Sequence, residues 1–325
     1  MTPTLGATGL VSIIIPTYRR PLEVRLAALS ALAQTWTEIE VLIISDGPDP
    51  ETRASVDGLD SRLRYLELPV NGGPAAARNA GVAASRGEWL TFLDDDDSML
   101  PGKVEAEMQL ADPLEPRRMV SCRTIYRRED REDVWPKRAI GPDEDLAEYI
   151  LCRPSLLDRP GVIPIQTLLV HRSIVRQIPF STHKDHEDWA WLLEAWHVAG
   201  ARVIFAWQPL VIYNIATESI SRSRRMNWED SLVWVQTYRK WIGDRAFCSF
   251  LSTKAALKAK RAGDWKGLCQ IASAIFRAHP GFLDLIFLLG VMVLPPTLLQ
   301  TAWKRSLRSG EGSAATVFKS EFEAG

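Results

Sequence analysis

The sequence contains few cysteines and no paired-cysteine motif. Its four cysteines, Cys122, Cys152, Cys248 and Cys269, lie far apart in a chain of 325 residues. Small secreted domains carry dense, even cysteine frameworks, so this spacing favours a reducing compartment and argues against structural disulfides. We predict that all four cysteines are packing residues.

Several motifs of nucleotide and metal chemistry are also missing. No GxGxxG, GxxxxGK[ST] or HExxH sequence occurs, which argues against dinucleotide-binding dehydrogenases, Walker-type ATPases and zinc sites of that type. The 39 Lys and Arg residues nearly balance the 40 Asp and Glu residues, so no net field attracts nucleic acid, and recognition must be local. Residues 1–10 contain no basic residue and no long apolar run, which is unlike a signal peptide and predicts a cytoplasmic protein.

What the sequence does have is a regular alternation of strand-like and helical segments in its first hundred residues. This βαβ order predicts an α/β fold with a doubly wound, mostly parallel sheet and helices on both faces. The strand-like runs are 11–15, 39–45, 63–68 and 88–93, and the helical patterns are 22–34, 50–59 and 74–85. Later segments predict a strand near 119–126, long loops over 127–164, a helix over 185–199, strands over 202–206 and 210–213, and helices from 227 onward.

Polar or glycine-bearing segments follow the four early strands. They are residues 16–19, 46–47, 71–73 and 94–97. Ligands of doubly wound sheets bind outside the carboxyl ends of the strands, so we expect these segments to form one site.

Four consecutive aspartates, Asp94 to Asp97, close the last of these strands. Adjacent carboxylates repel one another unless a cation offsets their charge. Mg²⁺ or Mn²⁺ accepts one or two carboxylates together with substrate phosphates and waters, so we favour a divalent metal with a phosphate-bearing ligand. The alternatives are a helix cap formed by Asp97 or Ser98, and a calcium loop of the EF-hand type, although Met99 stands where that loop requires glycine.

Arg78 and Asp46 are two further candidates for ligand contact. Arg78 lies one turn inside the alanine-rich helix that follows Gly72-Gly73-Pro74. A guanidinium near the positive end of a helix can bind diphosphate oxygens, but taken alone Arg78 is better explained as a surface residue of a packed helix. Asp46 can accept the imide N–H of a uracil or thymine base, although a lone Asp-Gly turn is uninformative.

An acidic pair begins the helix predicted over 185–199. Four apolar residues between Trp189 and Trp196 have the spacing of a buried face; Glu187 points away from that face, whereas Asp188 lies at its edge. Periodicity therefore favours Asp188 as the carboxylate that reaches a cleft. Stabilisation of the helix dipole by first-turn acids is the simpler alternative.

Together these segments resemble the family 2 glycosyltransferases, whose GT-A fold binds a nucleotide-sugar with a divalent metal. The resemblance implies a GT-A domain over residues 1–225, with a nucleotide-binding half at 10–100 and an acceptor half at 101–225, followed by a helical region at 226–325. Five segments carry it in order: Val11-Ser-Ile-Ile-Ile-Pro-Thr-Tyr-Arg19, Ser45-Asp-Gly47, Asn71-Gly-Gly-Pro-Ala-Ala-Ala-Arg-Asn-Ala-Gly81, Gly87-Glu-Trp-Leu-Thr-Phe-Leu-Asp-Asp-Asp-Asp97 and His186-Glu-Asp-Trp189.

The resemblance also implies roles for individual residues. Asp96 would be the principal metal ligand, and Asp188 would be the general base. Asp46 would contact the base, and Arg78 the base or phosphate. The set implied to bind the nucleotide-sugar is Pro16, Thr17, Tyr18, Arg19, Asp46, Arg78, Asp94 and Asp95. Further candidates for contact with the acceptor or phosphate are Glu187, Trp189, Ser219, Ser221 and Arg222.

The implied function is metal-dependent, inverting transfer of a sugar from a UDP- or dTDP-sugar to a hydroxyl of a glycan or lipid-linked acceptor. Two residues depart from the family pattern: Ser45 replaces an acid that many relatives carry, and Ala216 replaces a frequent histidine. Ala216 motivates one alternative, a non-catalytic nucleotide-sugar-binding or scaffold subunit of a glycan-assembly complex. A nucleotidyltransferase on a related fold is the other.

An apolar run near the C-terminus is the last feature. Residues 285–294 are wholly apolar, but Asp284 precedes them and Pro295 and Pro296 follow, so the run is too short to span a bilayer. It suits a buried helix and an interfacial segment equally well, since Phe282, Trp303, Lys304, Arg305 and Arg308 lie nearby. The second interpretation would place the protein peripherally on the inner face of the membrane.

Overall fold

The computed structural model describes residues 9–156, 158–181, 186–215 and 227–295. Within these ranges nine strands form one sheet in the order β3-β2-β1-β4-β8-β6-β9-β5, and β7 pairs with β6. The strands are β1 Val11–Thr17, β2 Ile39–Ser45, β3 Leu63–Glu67, β4 Trp89–Phe92, β5 Ser98–Met99, β6 Arg118–Arg127, β7 Glu132–Trp135, β8 Leu168–His171 and β9 Arg202–Asn214.

Helices connect and flank the strands. The first three, α1 to α3, begin with proline at the first helical position, where its fixed φ suits a helix and its missing N–H has no partner to lose. The helices are α1 Pro21–Leu32, α2 Pro50–Val56, α3 Pro74–Ala84, α4 Lys103–Met108, α5 Leu146–Leu151, α6 Arg172–Gln177, α7 Glu187–His197, α8 Trp228–Thr237, α9 Asp244–Phe250, α10 Ala256–Arg261, α11 Trp265–Arg277 and α12 Phe282–Val293, with a 3₁₀ turn at Ile165–Thr167 and a π-helical segment at Leu251–Ala255 between α9 and α10.

The sheet is parallel in its first half and mixed in its second. β3, β2, β1 and β4 run parallel, as the βαβ pattern predicts. β8 is antiparallel to both β4 and β6, whereas β6 and β9 are parallel with a bulge. Two local predictions were wrong: the segment 127–164 is not all loop, since it contains β7 and α5, and one strand, β9, replaces the two predicted between 202 and 213.

Hydrophobic side chains fill both faces of the sheet. Because side chains alternate along a strand, Ile13 and Ile15 of β1 pack into one cluster with α1, whereas Ile14 packs into the other with α3. Helix α3 lies unusually close to the sheet at Gly81, where an added Cβ would overlap Cγ2 of Ile14. This close approach fixes the position of α3, which carries Arg78.

The C-terminal helices share a core with the rest of the chain. Buried residues of α8 to α12 belong to the same cluster as those of α3 and α7, so the helical region is packed onto the α/β fold. Within the described residues, none of the helices is long and apolar enough to cross a bilayer. Cys122, Cys152 and Cys248 are buried as predicted, but Cys269 is exposed.

Candidate active site

A cavity of about 630 Å³ lies at the carboxyl ends of β1, β2 and β4. Most of the sequence-predicted residues line it, namely Pro16, Thr17, Tyr18, Asp46, Arg78, Asp94, Asp95, Asp96, Glu187, Asp188 and Trp189. Ser219, Ser221 and Arg222, and also Ala216, lie outside the described residues. The strand ends therefore meet at one site, as the topology predicts.

The four aspartates have four different environments. Asp94 accepts a hydrogen bond from Nη2 of Arg78 at 2.8 Å. Asp95 is buried and accepts from Thr17 Oγ1 at 2.8 Å. Asp96 keeps a third of its side chain exposed, about as much as Asp94, and both line the cavity.

Asp97 is not a helix cap, and the capping alternative was wrong. Its buried carboxylate accepts from Gln166 Nε2 at 2.8 Å and from the backbone N–H of Asn214 at 3.0 Å. Burial, and then the charge of Asp94, raises the pKa of Asp97 to about 9. Ser98 and Met99 form the short strand β5, so α4 begins only at Lys103 and Gly102 occupies its N-cap position.

Arg20 is a site residue that sequence reasoning missed. Its Nη1 donates to Asp95 Oδ1 at 2.8 Å and to Asp96 Oδ2 at 2.9 Å. The neighbouring Arg19, predicted to bind the nucleotide-sugar, does not line the cavity; its backbone N–H bonds Asp49 and its guanidinium lies over the Tyr18 ring. Arg19 adopts φ 56°, a turn that presents the next side chain to the site. The only sign of Arg20 in the sequence was the pair of adjacent arginines before Pro21.

The acidic residues would have to hold a metal together with a phosphate ligand rather than alone. Among the described residues, no group of three or more His, Cys, Asp or Glu side chains is close enough to hold an ion by itself. Asp96 lines the cavity and is one-third exposed, although Arg20 also donates to it, and Mg²⁺ or Mn²⁺ needs only one or two such ligands when diphosphate oxygens and waters complete the shell.

Arg78 connects the aspartates to the acidic pair of α7. Its side chain is buried, and Nη1 donates to Glu187 Oε1 at 3.1 Å while lying 3.8 Å from Asp188 Oδ1. Glu187 therefore does not point away from the cleft, as the helical spacing suggested; both acids face the cavity. Arg78 is also not a surface residue. Its guanidinium is buried and lies near three acids, Asp94, Glu187 and Asp188.

Asp188 is a carboxyl group with a raised pKa and an unpaired oxygen. Burial, reinforced by the charges of Glu187 and Asp94, raises the pKa of Asp188 to about 6, although Arg78 lowers it. Its Oδ1 is buried without a hydrogen-bond partner. A carboxylate that is ionised at neutral pH, yet more basic than usual, suits proton removal.

The turn before this acidic pair is held by the C-terminal helices. His186 adopts φ 56°, and its Nε2 lies 3.1 Å from Ser231 Oγ of α8. Its ring stacks on Trp189 at 5.0 Å and packs edge-on against Phe250 of α9. Burial lowers the pKa of His186 to about 3, so it is a neutral packing group.

Asp46 fixes the loop opposite this turn. Its Oδ1 and Oδ2 accept the backbone N–H groups of Gly72 and Gly73, both at 2.7 Å. Each carboxylate oxygen keeps a second lone pair, so the side chain can order the loop before α3 and still accept a ligand donor.

The family model for glycosyl transferase family 2 matches residues 12–178, more than half of the chain. The chain belongs to this family. A glycosyltransferase for amylovoran biosynthesis from Erwinia amylovora, AmsB, is 26% identical over 266 residues, covering 78% of this chain and 85% of its own. A glycosyltransferase of Haemophilus influenzae is 27% identical over 218 residues, covering 66% and 83%. The succinoglycan biosynthesis protein ExoO of Rhizobium meliloti is 34% identical over 111 residues, covering 34% and 32%.

Solved structures confirm the predicted GT-A fold. Staphylococcus aureus TarS 1-349 in complex with UDP-GlcNAc superposes with a TM-score of 0.56 at 15% identity, covering 84% of this chain and 93% of TarS. The mannosyltransferase PcManGT of Pyrobaculum calidifontis in complex with GDP-Man and Mn²⁺ has a TM-score of 0.51 at 15% identity, covering 94% and 89%. This family 2 member is thus a glycosyltransferase of GT-A-like fold with a helical C-terminal region.

Proposed function

We propose that this glycosyltransferase moves a sugar from a nucleoside-diphosphate sugar to a hydroxyl of a glycan or lipid-linked acceptor, with inversion at the anomeric carbon. One observation carries the proposal: Arg78 joins Asp94 at the strand ends and the Glu187-Asp188 pair in a single cavity. Asp94, proposed to bind the donor, and Asp188, proposed to accept the proton, therefore both lie within 4 Å of the same guanidinium. AmsB and ExoO, which act in polysaccharide biosynthesis by their names, support this acceptor class.

Donor binding is assigned to the carboxyl ends of β1, β2 and β4. Pro16, Thr17 and Tyr18 line the part of the cavity next to Asp46, where a base would lie. The buried guanidinium of Arg78 offers a fixed positive charge for the diphosphate. A uracil or thymine base fits Asp46, because its carboxylate accepts an imide N–H; TarS and PcManGT were solved with a UDP-sugar and a GDP-sugar.

Asp188 removes the proton of the attacking acceptor hydroxyl. The oxygen then forms its bond to the anomeric carbon as the bond to the nucleoside diphosphate breaks, and a single displacement inverts the configuration. Arg78 stabilises negative charge on the departing diphosphate. A divalent metal held by Asp96 would supply further stabilisation of that charge.

Peripheral membrane contact is proposed for helix α12. Phe282, Leu289 and Val293 are 78%, 62% and 69% exposed and share one side of the helix at the i, i+7 and i+11 positions. Such a face suits the interfacial region of a bilayer. Binding of the protein to anionic liposomes, lost when the three residues are replaced by serine, would support this contact; equal binding by both proteins would contradict it.

A panel of nucleotide-sugars tests the donor assignment. We expect at least one UDP-, dTDP- or GDP-sugar to raise the unfolding temperature, with a larger rise when Mn²⁺ or Mg²⁺ is present. Asp96→Asn should abolish the metal-dependent part, whereas Asp57→Asn, an exposed carboxylate at the end of α2, should leave it intact. Stabilisation that neither EDTA nor Asp96→Asn diminishes would contradict the metal role, and a panel without any stabilising member would contradict the donor class.

A further inference from the structure

Two tyrosines line the cavity and have no role in the reaction proposed above. Tyr126 is the last residue but one of β6, and Tyr213 is the last but one of β9. They are direct partners in the parallel pairing of these strands, and their ring centres lie 5.2 Å apart with the planes tilted by 42°. We call Tyr126 and Tyr213 the tyrosine pair.

The strand directions explain why the tyrosine pair reaches the cavity. β8 is antiparallel to both β4 and β6, so β6 runs in the same direction as β4, and β9 is parallel to β6. The carboxyl ends of β4, β6 and β9 therefore meet at one edge of the sheet. In the strand order, β1 and β2 lie on one side of β4, whereas β6 and β9 lie on the other. The tyrosine pair thus stands across the β4 end from Asp46, which follows β2.

Hydrogen bonds join the end of β9 to the aspartates. Asn214, the residue directly after Tyr213, donates its backbone N–H to Asp97 Oδ1 at 3.0 Å and its side-chain amide to the carbonyl oxygen of Asp96 at 2.7 Å. Both contacts fix the backbone that carries Tyr213. The position of the tyrosine pair beside the reaction centre is therefore set by direct contacts.

The hydroxyls of the tyrosine pair have unused hydrogen-bonding capacity. Within the part of the chain that the structure describes, neither Tyr126 nor Tyr213 forms a hydrogen bond through its hydroxyl. Both residues are half-buried, and polar groups in such positions usually have partners. Burial raises the pKa of both hydroxyls, so they stay protonated and can donate to a ligand oxygen.

The charges around the cavity restrict what the tyrosine pair can bind. Among the described residues that line the cavity, the arginines and lysines are Arg20 and Arg78 alone, and both donate to aspartates that follow β4. A phosphate at the tyrosine pair would have no cation to itself. An alkyl chain would leave both hydroxyls unpaired, which is unfavourable for half-buried polar groups.

A sugar ring meets both conditions. The C–H groups on one face of a pyranose pack on an aromatic ring, whose face carries partial negative charge. The hydroxyls on the rim of the same sugar can pair with the tyrosine hydroxyls. Asp188 lines the same cavity, so a sugar held by the tyrosine pair lies in the compartment that contains the proposed base.

We propose that the tyrosine pair is the acceptor subsite and binds an uncharged pyranose ring, one hydroxyl of which is directed to Asp188. The proposal rests on the proposed function, because it names the acceptor class of that same site. It narrows the acceptor to the sugar end of a glycan, whether that glycan is free or attached to a lipid. The donor remains assigned to the ends of β1, β2 and β4.

Ligand-observed NMR titration of the full chain tests this proposal. The donor site is first saturated with Mg²⁺ and the nucleoside diphosphate of the stabilising donor. The probes are a panel of methyl pyranosides, the octyl glycoside of the sugar that binds best, and octyl phosphate. The leucine variant, Tyr126→Leu with Tyr213→Leu, removes rings and hydroxyls, whereas the phenylalanine variant, with Phe at both positions, removes the hydroxyls alone. The matched control is Trp207→Leu, an exposed aromatic residue of β9 that is not among the lining residues.

We expect the leucine variant to bind the best methyl pyranoside about tenfold or more weakly than the wild type, and the phenylalanine variant about threefold more weakly. The control and nucleoside diphosphate binding should remain unchanged. Equal binding of the methyl and octyl glycosides would support a subsite for the sugar alone, and tighter binding of the octyl glycoside would support a lipid-linked sugar. If the leucine variant no longer binds nucleoside diphosphate, the phenylalanine variant decides.

Three results would overturn the proposal: wild-type affinity for the sugar in the deciding variant, octyl phosphate binding as tightly as the best pyranoside, and a wild type that binds nucleoside diphosphate but no pyranoside. Failure of the wild type to bind any nucleoside diphosphate would instead contradict the proposed function, and the acceptor assignment with it.

Discussion

At the scale of single residues, the site depends on how carboxylates share two buried or half-buried arginines. Arg20 bridges Asp95 and Asp96, and Arg78 bridges Asp94 and Glu187. Each guanidinium holds two acids that would otherwise repel each other. In the acidic pair of α7, Glu187 accepts a hydrogen bond from Arg78 whereas Asp188 Oδ1 has no hydrogen-bond partner, and this leaves the Asp188 carboxylate available to an acceptor hydroxyl.

The pH dependence of transfer should report the pKa of Asp188. A general base must be deprotonated, so turnover should rise as pH increases through about 6 and level off above it. Arg78→Gln removes the positive charge that lowers this pKa, so the acidic limb of the profile should move to higher pH. Arg78→Lys keeps the charge and should leave the limb in place; the measurement is kcat against pH for the three proteins. A limb that stays near the wild-type pH in Arg78→Gln would contradict the assignment.

Most residues predicted for the site line the cavity, but sequence reasoning did not predict their contacts. The aspartates, Arg78 and Asp188 were found because they follow strands or begin a helix, where position along the chain fixes position in space. Arg20 was missed because it follows a left-handed residue, Arg19, and no periodic pattern continues through such a turn. Glu187 was misjudged because its orientation depends on a buried arginine 109 residues away in the chain.

At the scale of secondary structure, strand ends bring the site together, and helix α3 sets its depth. The first half of the sheet was predictable because β-branched runs, prolines at helix starts and glycine-containing turns all indicate the same βαβ order. The second half was not, because β5 has two residues, β9 contains a bulge, and β7 pairs only at one edge. Such elements depend on tertiary pairing rather than on local sequence.

Gly81 tests the close packing of α3. Gly81→Val places side-chain atoms where Ile14 and Ile44 already lie, so we expect the free energy of unfolding to fall by about 1–3 kcal/mol. Donor affinity should also decrease, because Arg78 moves with the helix. Gly102→Ser is the control: a Cβ there meets no atom within 4 Å, serine suits the N-cap position that Gly102 holds, and the effect on stability should stay within about 0.5 kcal/mol. Chemical denaturation measures both, and equal effects would contradict the close-packing account.

At the scale of the whole molecule, the C-terminal helices are part of the active-site scaffold. Phe250 of α9 and Trp234 of α8 surround His186, and Tyr238 Oη donates to Glu194 of α7 at 2.6 Å. The domain boundary predicted near residue 225 remains a prediction. One hydrophobic cluster contains buried residues from both sides of it. Sequence alone showed that this region is helical; it did not show what the helices support.

Phe250 tests this support. The side chain is fully buried, and Phe250→Ala should lower the free energy of unfolding by about 3–5 kcal/mol. Because the ring contacts His186 at the start of α7, kcat should fall more than donor affinity. Phe276→Ala, at an exposed position of α11, is the matched control and should change neither stability nor kcat. A lowered stability with unchanged kcat in Phe250→Ala would separate the helices from the active site.

The central claim is that Asp188 is the base of a sugar-transfer reaction. The most direct measurement compares donor affinity and transfer rate in Asp188→Asn, Glu187→Gln and the wild type. We predict that Asp188→Asn binds donor like the wild type and transfers sugar about 10² to 10⁴ times more slowly, whereas Glu187→Gln retains the larger share of activity. Undiminished transfer by Asp188→Asn with intact donor binding would contradict the claim.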